Sequence, residues 1–180
     1  PIKSSAASDV YKRQAVRIVL KARRTDNTVG KLYVKNLKLT VPARLVCGGV
    51  KWDTGTKQYL AAPAAADLVI KHSGQILSTE DTQVAVFYLT PCSPADLLTD
   101  LTGTGGTPGL TLTADVAKDI NFTTGARNAS FPILDGNLNF MDQFGSPATQ
   151  LKGGESYETT LKFDIDSFTL EGEEKEWELS

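Results

Sequence analysis

Apolar and polar residues alternate with period two along much of this chain. From residue 15, Val16, Ile18 and Leu20 interleave with Arg17, Val19 and Lys21. That spacing turns one row of side chains inward and the other toward water, and it predicts a strand. Asp26, Asn27 and Gly30 supply turn chemistry, after which Leu32, Val34, Leu37, Leu39 and Val41 interleave with Lys31, Lys35 and Lys38. The apolar positions change parity near Asn36, which predicts a bulge or a turn there. Short strands are expected at 44–47, 57–60 and 68–72, separated by Gly48 and Gly49, by residues 53–55 and by the small residues 61–66. Residues 83–89 form a denser apolar run ending at Thr90 and Pro91, the pattern of a strand covered on both faces.

The middle of the chain reads differently. Residues 93–108 carry Pro94, Gly103, Gly105, Gly106 and Pro108 among threonines, which predicts a long exposed loop with a short helical turn within 94–101. Beyond it, strands are expected at 110–116 and 129–134. Tyr157, Thr159, Leu161, Phe163 and Ile165 then alternate with Glu158, Thr160, Lys162 and Asp164, the clearest half-buried strand in the sequence. A last alternation, Phe168 and Leu170 followed by Trp177 and Leu179 among glutamates, closes the chain. Many short strands with Gly, Asp and Asn turns indicate an all-β protein built as a β-sandwich. If the Pro/Gly-rich loop is a boundary, there are two sandwiches, over 15–90 and 91–180.

Composition narrows the function classes. A hydrophobic content of 41% is enough for a core, and 19 basic against 21 acidic residues give a net charge of −2 with no basic stripe. Nucleic acid is therefore not an expected partner. No run approaches the roughly 18 apolar residues of a membrane-spanning helix. Residues 1–14 are set apart as a non-native leader, because residues 5–14, SAASDVYKRQ, resemble translated sequencing-adapter sequence; a natural basic linker is the alternative.

Candidate chemistry is sparse, and no catalytic, cofactor or metal site is expected. His72 is the one histidine, so any nucleophile-base pair would have to use it, and its place beside Ser73 and Gly74 reads as a surface or edge position. Cys47 and Cys92 lack the spacing of a zinc site and read as unpaired core residues, or as a disulfide if the chain is exported. Glu171, Glu173, Glu174, Glu176 and Glu178 suit a solvated edge strand better than a calcium loop. Residues 103–109 lack the lysine of a phosphate loop and read as flexible linker. Asn121-Phe122-Thr123 and Asn128-Ala129-Ser130 match the glycosylation pattern and are read as turns, while Trp52, Tyr59 and Tyr157 could stack on sugars or serve as core or cross-strand residues.

Three stretches carry a family resemblance. Residues 37–55, LKLTVPARLVCGGVKWDTG, residues 74–77 leading into the strand that ends at Tyr88-Leu89-Thr90-Pro91, and residues 152–163, KGGESYETTLKF, are similar to the fimbrillin-like family. These are pilus subunits and related cell-surface lipoproteins of Gram-negative anaerobes. Gly154, the strand from Tyr157 to Ile165 and Trp177 match its C-terminal signature. The resemblance implies two transthyretin-like sandwiches, the N-terminal one incomplete, and a lipid-anchored location at the cell surface or outer membrane. It implies a non-enzymatic structural or adhesive role, with other subunits or a second copy as partners through strand complementation. Phe168, Leu170, Trp177 and Leu179 are then the candidate donor or edge strand. A non-polymerising lipoprotein that binds a glycan or a host protein is the alternative.

Overall fold

A computed structural model describes residues 14–24, 33–76, 80–102, 104–133 and 150–163. Within them the protein is all-β. Nine strands follow in chain order: β1 (Val16–Arg24), β2 (Tyr33–Val41), β3 (Cys47–Asp53), β4 (Gln58–Pro63), β5 (Leu68–Ile76), β6 (Thr82–Leu89), β7 (Thr111–Ala117), β8 (Arg127–Pro132) and β9 (Ser156–Phe163). A single 3-10 turn, Pro94–Leu97, lies between β6 and β7.

The strands form a three-stranded sheet ordered β6-β1-β9, a four-stranded sheet ordered β5-β2-β7-β8, and the β3-β4 hairpin. β1 is antiparallel to β6 and parallel to β9. The period-two pattern explains the packing. Val16, Ile18 and Leu20 of β1, Phe87 and Leu89 of β6 and Leu161 of β9 join Val34, Leu37 and Leu39 of β2, Leu112 and Val116 of β7 and Phe131 of β8 in one buried cluster. Two sheets that share one core in this way make a β-sandwich. Both sheets draw strands from either side of residue 90.

Several segments differ from the sequence expectation. Residues 43–45, expected within or beside a strand at 44–47, form a turn in which Leu45 N–H donates to the Pro42 carbonyl at 2.9 Å. Residues 61–63, expected among the small-residue spacer, continue β4, and Ser73 and Gly74, expected as turn residues, lie inside β5. Residues 48 and 49 lie inside β3 rather than in a turn, at a register shift between Cys47 and Gly49. Gly48 passes so close to the chain that a Cβ would sit 2.7 Å from the Ala64 Cα, so the glycine marks a close approach of two backbones. β6, expected to be covered on both faces, is covered on one: Ala85, Phe87 and Leu89 are buried, while on the other row Val86 is half-buried and Tyr88 exposed.

The 93–108 segment, expected as an exposed loop with a flexible glycine stretch, is pinned. Ser93 N–H and Oγ both donate to the Asp96 carboxylate, at 2.8 and 2.9 Å. The Arg44 guanidinium donates to the carbonyls of Asp96 at 3.1 Å and Pro108 at 2.7 Å, which ties the two ends together. Thr99 N–H reaches Ile133 at 2.7 Å and Leu110 N–H reaches Leu97 at 2.8 Å. Gly109 is buried against the Leu97 and Leu98 backbone, where a Cβ would lie 2.3 Å from the Leu98 carbonyl carbon. Gly109→Ala is expected to lower stability by about 1–3 kcal/mol, as overpacking does, measured by denaturant unfolding; a neutral effect would return the segment to the status of a linker.

Thr159 breaks the apolar pattern of the core. It is 1% exposed and its hydroxyl has no hydrogen-bond partner. Replacing that hydroxyl by a methyl group keeps the shape and removes an unmet polar group. Thr159→Val is therefore expected to raise the unfolding free energy by about 1–2 kcal/mol, and a loss of stability would show that the hydroxyl is bonded.

Candidate functional site

The most distinctive surface lies on the outer face of the four-stranded sheet, at the parity change predicted near Asn36. Asn36 adopts φ 53, a left-handed conformation that asparagine tolerates better than most residues. Both ladders of β2 shift register around it, between Lys35 and Leu37 against β5 and between Lys35 and Lys38 against β7. Gly74 of β5 takes φ 104 close by. The expected bulge is present, and beside it the sheet carries a depression of about 440 Å³.

Asp115 of β7 sits at one side of this depression. Its carboxylate accepts from Asn36 Nδ2 at 2.7 Å and from Asn128 Nδ2 at 3.1 Å, so it joins β2, β7 and β8 across the face. The Asn36 amide, then that of Asn128, hold the Asp115 carboxyl below the ordinary carboxylate value. Thr113 lies one step along β7 on the same face. On the other side, Lys38 of β2 and Lys71 of β5 are directly opposed in the register and both line the depression. Like charges placed opposite one another in a sheet are destabilising. Neither ammonium has a hydrogen bond or ion pair among the described residues.

The β7–β8 connection leans on the same face of the sheet. The Asp119 carboxylate accepts from the backbone N–H groups of Thr124, Thr123 and Asn121 and from the Thr123 hydroxyl, and these donors hold its carboxyl low, Thr124 most strongly. The turn so formed places the Phe122 ring 4.1 Å from Lys35 Nζ, a cation-π contact. The Gln75 side chain donates to the Ile120 carbonyl at 3.4 Å.

The residues singled out in the sequence fall in several places. His72 lies in β5 opposite Leu37 and borders the depression with Ser73, but makes no hydrogen bond to Ser73 or Asp115. Cys47 and Cys92 are free and buried, and burial pushes the Cys92 thiol up to about 12, which keeps it protonated and unreactive. No group of three or more metal-ligating residues gathers among the described residues. Asn121 belongs to the Asp119 turn as expected, whereas Asn128 is a strand residue of β8. Trp52 and Tyr59 pair across the β3–β4 hairpin with ring centroids 5.0 Å apart, and remain 52% and 46% exposed. Phe168, Leu170, Trp177 and Leu179 lie outside the described residues. Lys38, Lys71 and Asp115 carried no motif, and Asn128 only that of a glycosylation site; strand register alone brings the four together.

The Asp115 network makes a pH prediction. A depressed folded-state value means that the contribution is fully present above the unfolded carboxyl value of about 3.9 and is lost as pH falls through the lower folded value. Asp115→Ala is expected to lower the urea midpoint at neutral pH, and the gap to the parent chain should close progressively below about pH 4. A gap that is constant with pH would show that the carboxylate charge does not matter. No model of a known protein family matches this chain, and no curated protein does so either.

Proposed function

We propose that the chain is a structural or adhesive cell-surface subunit of the fimbrillin-like kind, exported to the outer membrane and joined to its neighbours by strand addition. The observation that carries this reading is the outer edge of β9. β9 pairs with β1 on one side and with no described strand on the other. Arg17 N–H donates to the Glu155 carbonyl at 3.0 Å. In a parallel ladder this assigns the backbone groups of Tyr157, Thr159 and Leu161 to β1 and turns those of Glu158 and Thr160 outward. An edge with that row of donors and acceptors is a template for another strand. The resemblance of residues 152–163 to the fimbrillin-like C-terminal signature falls on this same strand and supports the assignment.

A second reading, a non-polymerising surface lipoprotein that binds a glycan or a host protein, is favoured by the exposed Trp52–Tyr59 pair. Paired aromatics on a projecting hairpin offer a stacking surface that costs little to present.

Proline on an outward-facing edge position removes an exposed N–H and no ladder bond to β1; at Thr160 it also removes the exposed hydroxyl bond to Asp81 at 3.2 Å. Thr160→Pro in the exported protein is expected to leave the monomer folded by circular dichroism and to abolish high-mass assemblies in size-exclusion chromatography and electron microscopy. Deletion of residues 168–180 is expected to do the same if that segment is the donor strand. Filaments that persist in Thr160→Pro would remove the β9 edge from the mechanism. A parent chain that stays monomeric and loses glycan or protein binding in Trp52→Ala would favour the second reading.

A further inference from the structure

The depression beside the Asn36 bulge presents two kinds of group that face the same space and are satisfied to different degrees. Lys38 and Lys71 oppose one another on adjacent strands with no carboxylate between them, and neither has a partner among the described residues. Folding alone gives no reason for this arrangement, since a glutamate at either position would turn a repulsion into an attraction. An anion seated between the two ammonium groups would relieve it.

Asp115, Asn36 and Asn128 form the complementary side. Both amide groups spend an N–H on the carboxylate, which fixes their orientation and leaves their carbonyl oxygens as acceptors. The carboxylate itself retains lone pairs beyond the two it uses. Thr113 adds a hydroxyl that can donate or accept. A ligand that fills this space therefore needs one anionic group for the lysines and several hydroxyl or N–H donors for the acceptors, within a volume of about 440 Å³. A simple inorganic anion satisfies only the first requirement, and would lie near the Asp115 charge without using any acceptor. A neutral sugar satisfies only the second.

We infer that this depression is a binding site for an acidic sugar, a uronic or sialic acid unit whose carboxylate lies between Lys38 and Lys71 and whose hydroxyl or amide donors meet Asp115, Asn36 and Asn128. The site is on the sheet face, away from the β9 edge, and it holds for a polymerising and a monomeric protein alike. Its residues come from four strands, β2, β5, β7 and β8.

The test is an NMR titration of the whole chain with glucuronic acid and with N-acetylneuraminic acid, against glucuronic acid methyl ester and the capped dipeptide acetyl-Asp-Ser-amide. At least one acid is expected to bind in the millimolar range, with shifts confined to residues around 36–38, 71–73, 113–115 and 128, and the ester is expected to bind at least about tenfold more weakly. Lys71→Glu is the decisive variant: it should raise the thermal midpoint by pairing with Lys38, and lower affinity for the acid at least about tenfold. Lys71→Gln should lower affinity without the gain in stability. No binding by either acid, equal binding of the ester, tighter binding of the dipeptide, or unchanged affinity in a folded Lys71→Glu would each overturn the assignment.

Discussion

The three-stranded sheet exists only because β1 finds β9, and that pairing joins residues far apart in the chain. The parallel ladder runs from Arg17 opposite Ser156 to Arg24 opposite Phe163, and the Arg17–Ser156 side-chain contact spans 139 positions. Closing so long a loop costs conformational entropy before any contact repays it. The visible surface interactions are too weak to do so. The Lys21–Glu158 pair is close, at 2.9 Å, but its side chains are 28% and 61% exposed, and solvent-exposed pairs of this kind contribute little. Complete burial of Leu161 alone contributes about 1.5–3 kcal/mol. The inner face of β9 therefore holds the sheet, with backbone bonds from Gly154 to Ala15 and between Cys92 and Leu151 fixing where the strand enters.

A second constraint sits on the other sheet, where the two ladders of β2 shift in opposite senses: between Lys35 and Lys38 β2 carries one residue more than β7, while between Lys35 and Leu37 β5 carries one more than β2. The surplus over β7 is absorbed at Asn36, whose side chain then points to Asp115 rather than into either ladder. Without the bulge, Lys35 and the residues beyond it would exchange faces, because the side-chain period is two. Val34 and Leu37 both face the core, with Lys35 on the outer face, only because the residue that β2 carries in excess of β7 restores parity. The depression on this face is a consequence of keeping the core apolar.

Much of this was legible in the residues. The alternation in β2 and β9 set their faces, as did that in β1 except at Val19, which was placed in the water-facing row but is buried; the parity change marked the bulge, and the Pro94 turn lay where expected. Three of the misreadings share one physical cause. Gly48, Gly106 and Gly109 were read as turn and linker chemistry, but each is a glycine because another backbone passes within reach of its missing side chain. A sequence records that a position is small without saying whether it bends or is crowded. Lys38, Lys71 and Asp115 were invisible for a related reason: their meeting depends on register between strands separated by long connections, and no local spacing encodes it.

Two of the departures from local rules among the described residues differ in kind. The Thr159 hydroxyl faces an apolar core, and nothing there could use it, so its cost has no evident return. The Lys38–Lys71 opposition faces a concavity whose far side is built of ordered acceptors, so the cost is borne where a ligand can relieve it. Proteins retain unfavourable arrangements most readily where binding needs them. The same reasoning separates the two surfaces of this molecule. An edge such as β9 recruits by backbone groups that any strand could meet, and gains selectivity only from alternating side chains. A face that gathers charge and acceptors from four strands selects by the ligand's own functional groups. Assembly at the edge and recognition on the face therefore make no competing demands on the same residues.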